Sequence, residues 1–386
     1  MNKKVAIFTG TRAEYGLLYW LMRDIESDKN LDLQILVSGM HLSPEFGETF
    51  NQIQEDGFVI DEKIEMLLSS NTAIGTAKSI GLGILGFTDA FSRLLPDVLI
   101  VLGDRFEALA AAQTAMIMRI PVLHLHGGEI TEGAYDDSIR HAITKFSYLH
   151  GTSTEEHKNR VIQLGESPNR VFNVGAIGLD HILRGRFMSL EELSSSLNFK
   201  INKNYFIITY HSATLADEDP ETTYKNILDA LESFKEYQVI FTYPNADDGG
   251  RNLIPLIEAY ASKDPERILV IPSLGHTRYL SALKFAAAVI GNSSSGIIEA
   301  PAFNIPSINI GSRQKGRAAA SSVINCDIDS DAIRAAITTV LKADFKEIHK
   351  NMPNPYGQGD ASKQVIEIIK SFSYIASKNF HNIKDI

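Results

Sequence analysis

Asp104, Asp136 and Asp137 are the side chains of this sequence best suited to exchanging a proton with a ligand. Asp104 stands in Gly103-Asp104-Arg105-Phe106-Glu107, directly after the apolar run Val98–Leu102, and the other two open the pattern Asp136-Asp137-Ser138-Ile139-Arg140-His141. An acid beside an arginine at the carboxyl end of a strand suits acid–base work, and helix N-capping is the competing reading. Between them lies His124-Leu125-His126-Gly127-Gly128-Glu129, whose two histidines alternate onto one strand face. A bound metal would require further ligands at zinc-like spacing, which the sequence lacks, so no metal is expected. Asp104, Glu129, Asp136 and Asp137 are expected to converge on one sheet edge, where neighbouring carboxylates perturb one another's pKa values.

A second set of residues suits a diphosphate. Val289-Ile-Gly291-Asn-Ser293-Ser294-Ser295-Gly296-Ile-Ile-Glu299 reads as a strand that turns through small hydroxyl residues into a helix, with Glu299 in its first turns. Unpaired N–H groups at a helix start attract anions, Gly296 permits close approach, and an acid one turn on can accept hydrogen bonds from ribose hydroxyls. A serine-capped turn with no ligand is the alternative. Arg12 follows the first strand in Gly10-Thr-Arg12, and Arg313 and Arg317 follow the last, giving local positive charge. His211 and Asn245 each stand just beyond another strand. Gly10-Thr-Arg12-Ala-Glu14-Tyr-Gly16 lacks the G-x-G-x-x-G spacing, so a nicotinamide cofactor is not expected.

Both sets need a scaffold. Short apolar strands alternate with amphipathic helices, the pattern of parallel α/β sheets. Strands are expected at Val5–Thr9, Leu33–Val37, Val98–Leu102, Val122–His126 and Val171–Val174, then at Tyr205–Tyr210, Gln238–Thr242, Ile268–Ile271, Ala287–Ile290 and Ser307–Ile310. Helices are expected near Gly16–Asp28, Pro44–Asp56, Thr72–Leu95, Phe106–Met118, Asp137–Phe146 and Tyr224–Phe234, and the polar stretch Met188–Asn204 reads as a linker. The expected fold is α/β, with two Rossmann-like domains facing a cleft: residues 1–180, residues 200–363 and a closing helix over 364–386.

With 386 residues the chain can bury two ordinary cores. Its net charge of −10 repels polyanions, which argues against a nucleic-acid or membrane-surface binder and explains why a phosphate needs clustered arginines. A single cysteine, Cys326, excludes an internal disulfide and fits a reducing compartment. The apolar run near the start is too short for a signal peptide. Ile80–Phe87, the greasiest internal stretch, falls far short of the ~20 residues that span a bilayer, so a cytoplasmic protein is expected. The apolar region Ile80–Leu95 suits either core packing or an interface.

Gly10-Thr-Arg12-Ala, Gly103-Asp104-Arg105, His126-Gly-Gly-Glu129, Asp136-Asp137-Ser-Ile-Arg140-His141, Gly291-Asn-Ser-Ser-Ser-Gly-Ile-Ile-Glu299 and Gly311-Ser-Arg313-Gln-Lys-Gly316-Arg317 occur in this order along nearly the whole chain. Together they resemble the UDP-N-acetylglucosamine 2-epimerase family, in its hydrolysing branch. The resemblance implies a GT-B-like fold with the C-terminal helix packed on the N-terminal domain, a homo-oligomer (dimer or tetramer) and no cofactor. It implies anti elimination of UDP to a 2-acetamidoglycal, then hydration to N-acetylmannosamine for sialic acid biosynthesis.

Residue by residue, the resemblance makes Asp104 and Asp136 the acid–base carboxylates, with Asp137 beside them and His211 near the diphosphate. Arg12 and Arg313 would hold phosphates, Ser293 and Ser294 the pyrophosphate, Glu299 the ribose, Asn245 and the Ser273–Tyr279 segment with His276 the uridine, and His41 and Arg105 the sugar. Two departures stand out. Relatives often carry a catalytic glutamate where this chain has His126, so either Glu129 or His126 takes that role, and Ser212 replaces a common proline. Alternatives are a UDP-2,4-diacetamido-2,4,6-trideoxyglucose epimerase on the legionaminic acid route, a GT-B glycosyltransferase and a nucleotide-sugar-binding protein without turnover.

Overall fold

The computed structural model describes residues 2–68, 72–130, 135–202, 204–211, 219–244, 250–350 and 352–383, the side chains of 250–252 excepted. Two compact units emerge: Met1–Leu183 with Tyr356–Ile386, and Arg184–Pro355.

The first unit alternates β1 (Lys3–Thr9), α1 (Arg12–Ser27), β2 (Leu31–Ser38), α2 (Phe50–Glu55), β3 (Glu62–Ile64), α3 (Ala73–Leu94), β4 (Val98–Leu102), α4 (Phe106–Ile117), β5 (Val122–Leu125), α5 (Tyr135–Phe146), β6 (Leu149–Thr152), α6 (Glu155–Gln163) and β7 (Val171–Asn173), leaving through α7 (Asp180–Arg184). The strands form one sheet in the order β3-β2-β1-β4-β5-β6-β7, with every pairing parallel. Helices cover both faces, so the central strands are buried on both sides and read as unbroken apolar runs such as Val98-Leu-Ile-Val-Leu102. Thr11 and Glu14 start α1 as a capping box, which lengthens it four residues beyond the expected Gly16. In place of a helix over Pro44–Asp56 there is a 3-10 turn at Pro44–Phe46 and the short α2, separated by left-handed Gly47 and Glu48. Within α3, Phe87, Ala90 and Phe91 join the core, while Ile74, Leu82 and Leu85 stay exposed.

The second unit comprises α8 (Leu190–Leu197), β8 (Tyr205–Thr209), α9 (Pro220–Leu231), β9 (Gln238–Thr242), α10 (Gly250–Ala261), β10 (Ile268–Ile271), α11 (Gly275–Phe285), β11 (Ala288–Gly291), α12 (Ser294–Ile298), β12 (Ser307–Ile310), β13 (Val323–Cys326), α13 (Ser330–Leu341) and α14 (Ala343–His349). Its all-parallel sheet runs β10-β9-β8-β11-β12-β13. The expected linker is not unstructured: Ser189 and Glu192 form a capping box that starts α8, and Leu193 buries against the sheet.

The chain then returns to the first unit as α15 (Ala361–Ser371), whose Val365, Ile366, Ile368 and Ile369 complete the core beside α1. The helix expected over 364–386 thus starts three residues earlier and stops at Ser371. A non-helical tail follows, in which Lys378 donates to the Lys145 and Ser147 carbonyls at 2.8 and 2.6 Å. In each sheet the strand order reverses beside the first strand, between β1 and β4 and between β8 and β11, and such switch points carry the ligand crevices of open α/β sheets.

Candidate active site

At the first switch point the Gly103-Asp104-Arg105 turn leaves β4, and α5 supplies its partners. Asp136 and Arg140 are one turn apart on α5 and share a face. Arg140 pairs with the Asp104 carboxylate and donates to the His126 carbonyl at 3.0 Å, so it ties the ends of β4 and β5 together. Burial pushes the Asp104 carboxyl above its ordinary range; Arg140 opposes the rise, and Asp136 and Glu129 add to it. Asp137 lies 3.4 Å from His141 Nε2 on the same helix.

The loop after β5 is held in a conformation that few non-glycine residues adopt. His126 has φ of 62° and is fixed by its own N–H to the Gly151 carbonyl (2.9 Å) as well as by Arg140. Its Nε2 accepts the Ile177 backbone N–H at 3.3 Å, so the ring proton sits on Nδ1 and points at Glu129 Oε1, 3.0 Å away. Gly128 has positive φ, and a Cβ there would run into the His157 carbonyl of α6. Burial alone would raise Glu129; His126, Arg140 and His157 outweigh it and hold the carboxyl below its ordinary range. His124 is wholly buried, with Nε2 on the Gly103 carbonyl (2.7 Å) and Nδ1 on Thr144 Oγ1 (3.1 Å), a structural bridge between strand ends.

On the other side of this switch point, Arg12 is the exposed first residue of α1. Beneath it the buried Glu14 accepts the Gly10 and Thr11 N–H groups at 2.7 and 3.1 Å, and burial raises its carboxyl to about 7. Arg105 reaches the fully buried Glu107 at 3.3 Å. His41 is fully buried, its Nε2 3.0 Å from Thr9 Oγ1 and its Nδ1 2.8 Å from Thr49 Oγ1, and burial lowers its pKa to about 4. A cavity of about 990 Å³ opens between Arg105, Phe106, Tyr135 and Ile139 on one wall and Leu42, Phe46, Met66 and Ile80 on the other.

In the second unit the Asn292 side-chain amide clasps the His211 backbone, accepting its N–H and donating to its carbonyl, both at 2.8 Å. This clasp spans the β8–β11 switch point, where Gly291 lies so close to Thr209 that a Cβ would overlap its carbonyl. Arg313 and Gln314 donate to the Asn292 carbonyl at 3.1 and 2.8 Å, which brings the exposed arginine to the same edge. Ser293 caps α12, Ser294 is its first residue, and Gly296 packs so tightly on β12 that a side chain would meet Ser307. The helix has only five residues, so Glu299 is its C-cap rather than part of its first turns. Pro301 has no N–H to donate to the Ile297 carbonyl, so the ladder cannot continue through it even though Ala300 keeps helical angles. Burial raises the Glu299 carboxyl, the Ser295 hydroxyl opposes the rise, and Tyr279 donates to that hydroxyl at 2.6 Å. His276 is exposed in the first turn of α11. Asn245 and Ser212 lie outside the described residues. Asn309, Ser312, Lys315 and Arg317 line a cavity of about 940 Å³ beyond β12 and β13.

Sequence reasoning left several contributors unassigned. Arg140 stood in a quoted motif without a role, whereas Ser153, His157 and Asn292 act through partners remote in sequence. Asn292 carried the one available signal, an amide directly after a strand that ends in glycine.

A family model described as UDP-N-acetylglucosamine 2-epimerase matches residues 23–370. The GDP/UDP-N,N'-diacetylbacillosamine 2-epimerase (hydrolyzing) of Campylobacter jejuni is 42% identical over 346 residues, covering 90% of this chain and 89% of that protein. Polysialic acid biosynthesis protein P7 of Escherichia coli is 35% identical over 385 residues, 100% of this chain and 98% of its own. In fold, the Neisseria meningitidis UDP-GlcNAc 2-epimerase bound to UDP-GlcNAc superposes with a TM-score of 0.78 at 19% identity, over 96% of this chain and 100% of that one. The chain therefore belongs to the UDP-N-acetylglucosamine 2-epimerase family, in its hydrolysing branch, and has its two-domain GT-B-like α/β fold.

Proposed function

We propose that this chain converts UDP-N-acetylglucosamine and water to UDP and N-acetylmannosamine, with proton transfers at the carboxyl edge of the first sheet. The observation that carries the reading is the opposed behaviour of two neighbouring carboxyls, Asp104 held above its ordinary range and Glu129 below it. Environments that drive two acids apart keep a proton donor and a proton acceptor ready together. Glu129 takes the C2 proton; the C–H electrons form the C1–C2 double bond, and the C1–O bond breaks toward the UDP oxygen. Water then adds at C1, giving its proton to Asp136, while Asp104 delivers a proton to the opposite face of C2 and so inverts it. Arg12 and Arg313 hold the diphosphate, Ser293, Ser294 and the His211 edge lie along it, and Glu299 takes the ribose.

The test is NMR of the reaction in D2O. N-acetylmannosamine with deuterium at C2, released together with UDP, is the expected product; N-acetylglucosamine with its original C2 proton would mean plain hydrolysis and would overturn the reading.

The cavity beside Asp104 favours a second reading of the sugar. Its Leu42, Phe46, Met66, Ile80 and Ile139 suit methyl-bearing substituents at C4 and C6, as in UDP-2,4-diacetamido-2,4,6-trideoxyglucose, and the Campylobacter relative is named for such a sugar. Direct competition between the two nucleotide sugars, read as a ratio of kcat/KM, decides between them. Among the described residues no helix is long and apolar enough to cross a membrane, which supports a cytoplasmic setting. The exposed Ile74, Leu82 and Leu85 on one face of α3 support a homo-oligomer.

A further inference from the structure

We infer that Ser153 and His157 are positioning residues that aim Glu129 and keep it ionised, an inference that rests on the role of Glu129 proposed above. Ser153 follows β6 and is fully buried; His157 sits in the first turn of α6, where its N–H bonds the Thr154 cap at 3.2 Å. Ser153 Oγ lies 2.8 Å from Glu129 Oε1 and 2.9 Å from His157 Nδ1. An ionised carboxylate only accepts, so the single serine proton points at Glu129, and the serine must accept from His157 Nδ1–H. The direction of the whole chain follows: His157 donates to Ser153, Ser153 donates to Glu129 Oε1, and His126 Nδ1–H donates to the same oxygen at 3.0 Å. Two donors from two different elements therefore grip one carboxylate oxygen, and among the described residues no donor reaches the other. That leaves Oε2 as the oxygen able to take a proton.

The arrangement also assigns the two histidines. His126 is pinned in its Nδ1–H form by the Ile177 N–H, and burial lowers His157 to about 4, so it donates as a neutral ring. The charged and titratable groups facing this carboxylate are His126 from its own loop, Arg140 from α5, His157 and Arg160 from α6, and Asp104 after β4. With these five unchanged, removing the serine proton takes away a hydrogen bond that only the ionised form accepts, so the Glu129 pKa must rise.

The experiment compares full-length Ser153→Ala, His157→Leu and His157→Asn with Glu129→Gln, each first checked for wild-type melting temperature and UDP affinity. Asparagine keeps an N–H donor near the position of Nδ1. Ser153→Ala and His157→Leu are expected to lower kcat at least ~10-fold with KM within about twofold, and to move the acidic limb of kcat upward by about one pH unit. His157→Asn should restore most of kcat. Wild-type kcat and pH profile in Ser153→Ala, or equal losses in both His157 variants with an unmoved limb, would overturn the inference while leaving Glu129 catalytic. Normal turnover in Glu129→Gln would instead remove the parent reading.

Discussion

At the switch point of the first sheet, the Asp104 carboxyl lies among those of Asp136 and Glu129 and the guanidinium groups of Arg140 and Arg105. At the corresponding point of the second sheet the described groups around the His211 backbone are the Asn292 amide, the Ser293 hydroxyl and the Arg313 guanidinium, with one buried carboxyl, Glu299, at the end of α12. The same topology thus carries two chemistries. Carboxyls change charge as a reaction proceeds, whereas amides, hydroxyls and guanidinium groups keep theirs across the working pH range. On the function proposed above, one unit exchanges protons and the other holds a fixed anion, and each half of that contrast can be broken separately.

The largest effects belong to the proton-exchanging edge. Asp104→Asn and Glu129→Gln are each expected to lower kcat by at least ~100-fold, with UDP affinity by calorimetry almost unchanged. Full turnover in either variant would remove that carboxylate from the mechanism.

Next comes the charge that fastens the first unit together. Glu166 is fully buried against His150, Lys145 and Lys378, and the hydrogen bond from His150 together with the two ammonium groups overcomes burial to lower its carboxyl to about 2. A folded-state pKa below the unfolded one contributes stability above the unfolded value, and that contribution is lost as pH falls toward 2. Glu166→Gln should therefore destabilise the protein at pH 7 by about 3–5 kcal/mol, and the difference should vanish in acid. Equal melting temperatures at neutral pH would show the cluster to be dispensable.

Smaller effects are expected on the holding edge. Arg313→Ala and Glu299→Ala should each weaken UDP binding by about 1.5–3 kcal/mol while the chemical step in single turnover keeps its rate. A slowed chemical step at saturating substrate would blur the division of labour between the units.

The smallest effect concerns Glu14, whose carboxyl is raised to about 7. Here the folded state binds the extra proton, so stability declines as pH rises between about 4.5 and 7. Glu14→Gln keeps an acceptor for the Gly10 and Thr11 N–H groups. It should flatten that decline and add roughly 1–3 kcal/mol at pH 8. An unchanged slope in denaturation across pH would refute this.

Legibility in the sequence followed locality. Val98–Leu102, Gln238–Thr242, Ile268–Ile271 and Ser307–Ile310 were readable to the residue: burial on both faces leaves an apolar run in the first two, the half-buried edge strand Ile268–Ile271 is apolar throughout, and Ser307–Ile310 alternates polar and apolar residues. β6 was not readable: its Leu-His-Gly-Thr segment buries His150, and the partner that makes this tolerable, Glu166, comes sixteen residues later. β3 and β13 are short edge strands with little apolar signal. The α8 capping box was present in Ser189–Glu192, but the polarity around it suggested a linker. Likewise the acids could be found from strand-end motifs, whereas the hydrogen bonds that set Glu129 apart from Asp104 come from Ser153 after β6, His157 in α6 and Ile177 beyond β7, where no local pattern announces them.

The return of α15 to the first unit sets an order of birth. Residues 184–355 form one uninterrupted stretch, but the core of the first unit includes Ala361, Val365, Ile366, Ile368 and Ile369. At a synthesis rate of about 5–20 residues per second, the face of α1 that receives these side chains stays uncovered for roughly 10–40 s after residue 183 is made. The half of the chain translated first is therefore the half completed last, and until then its apolar groove depends on chaperones or on speed.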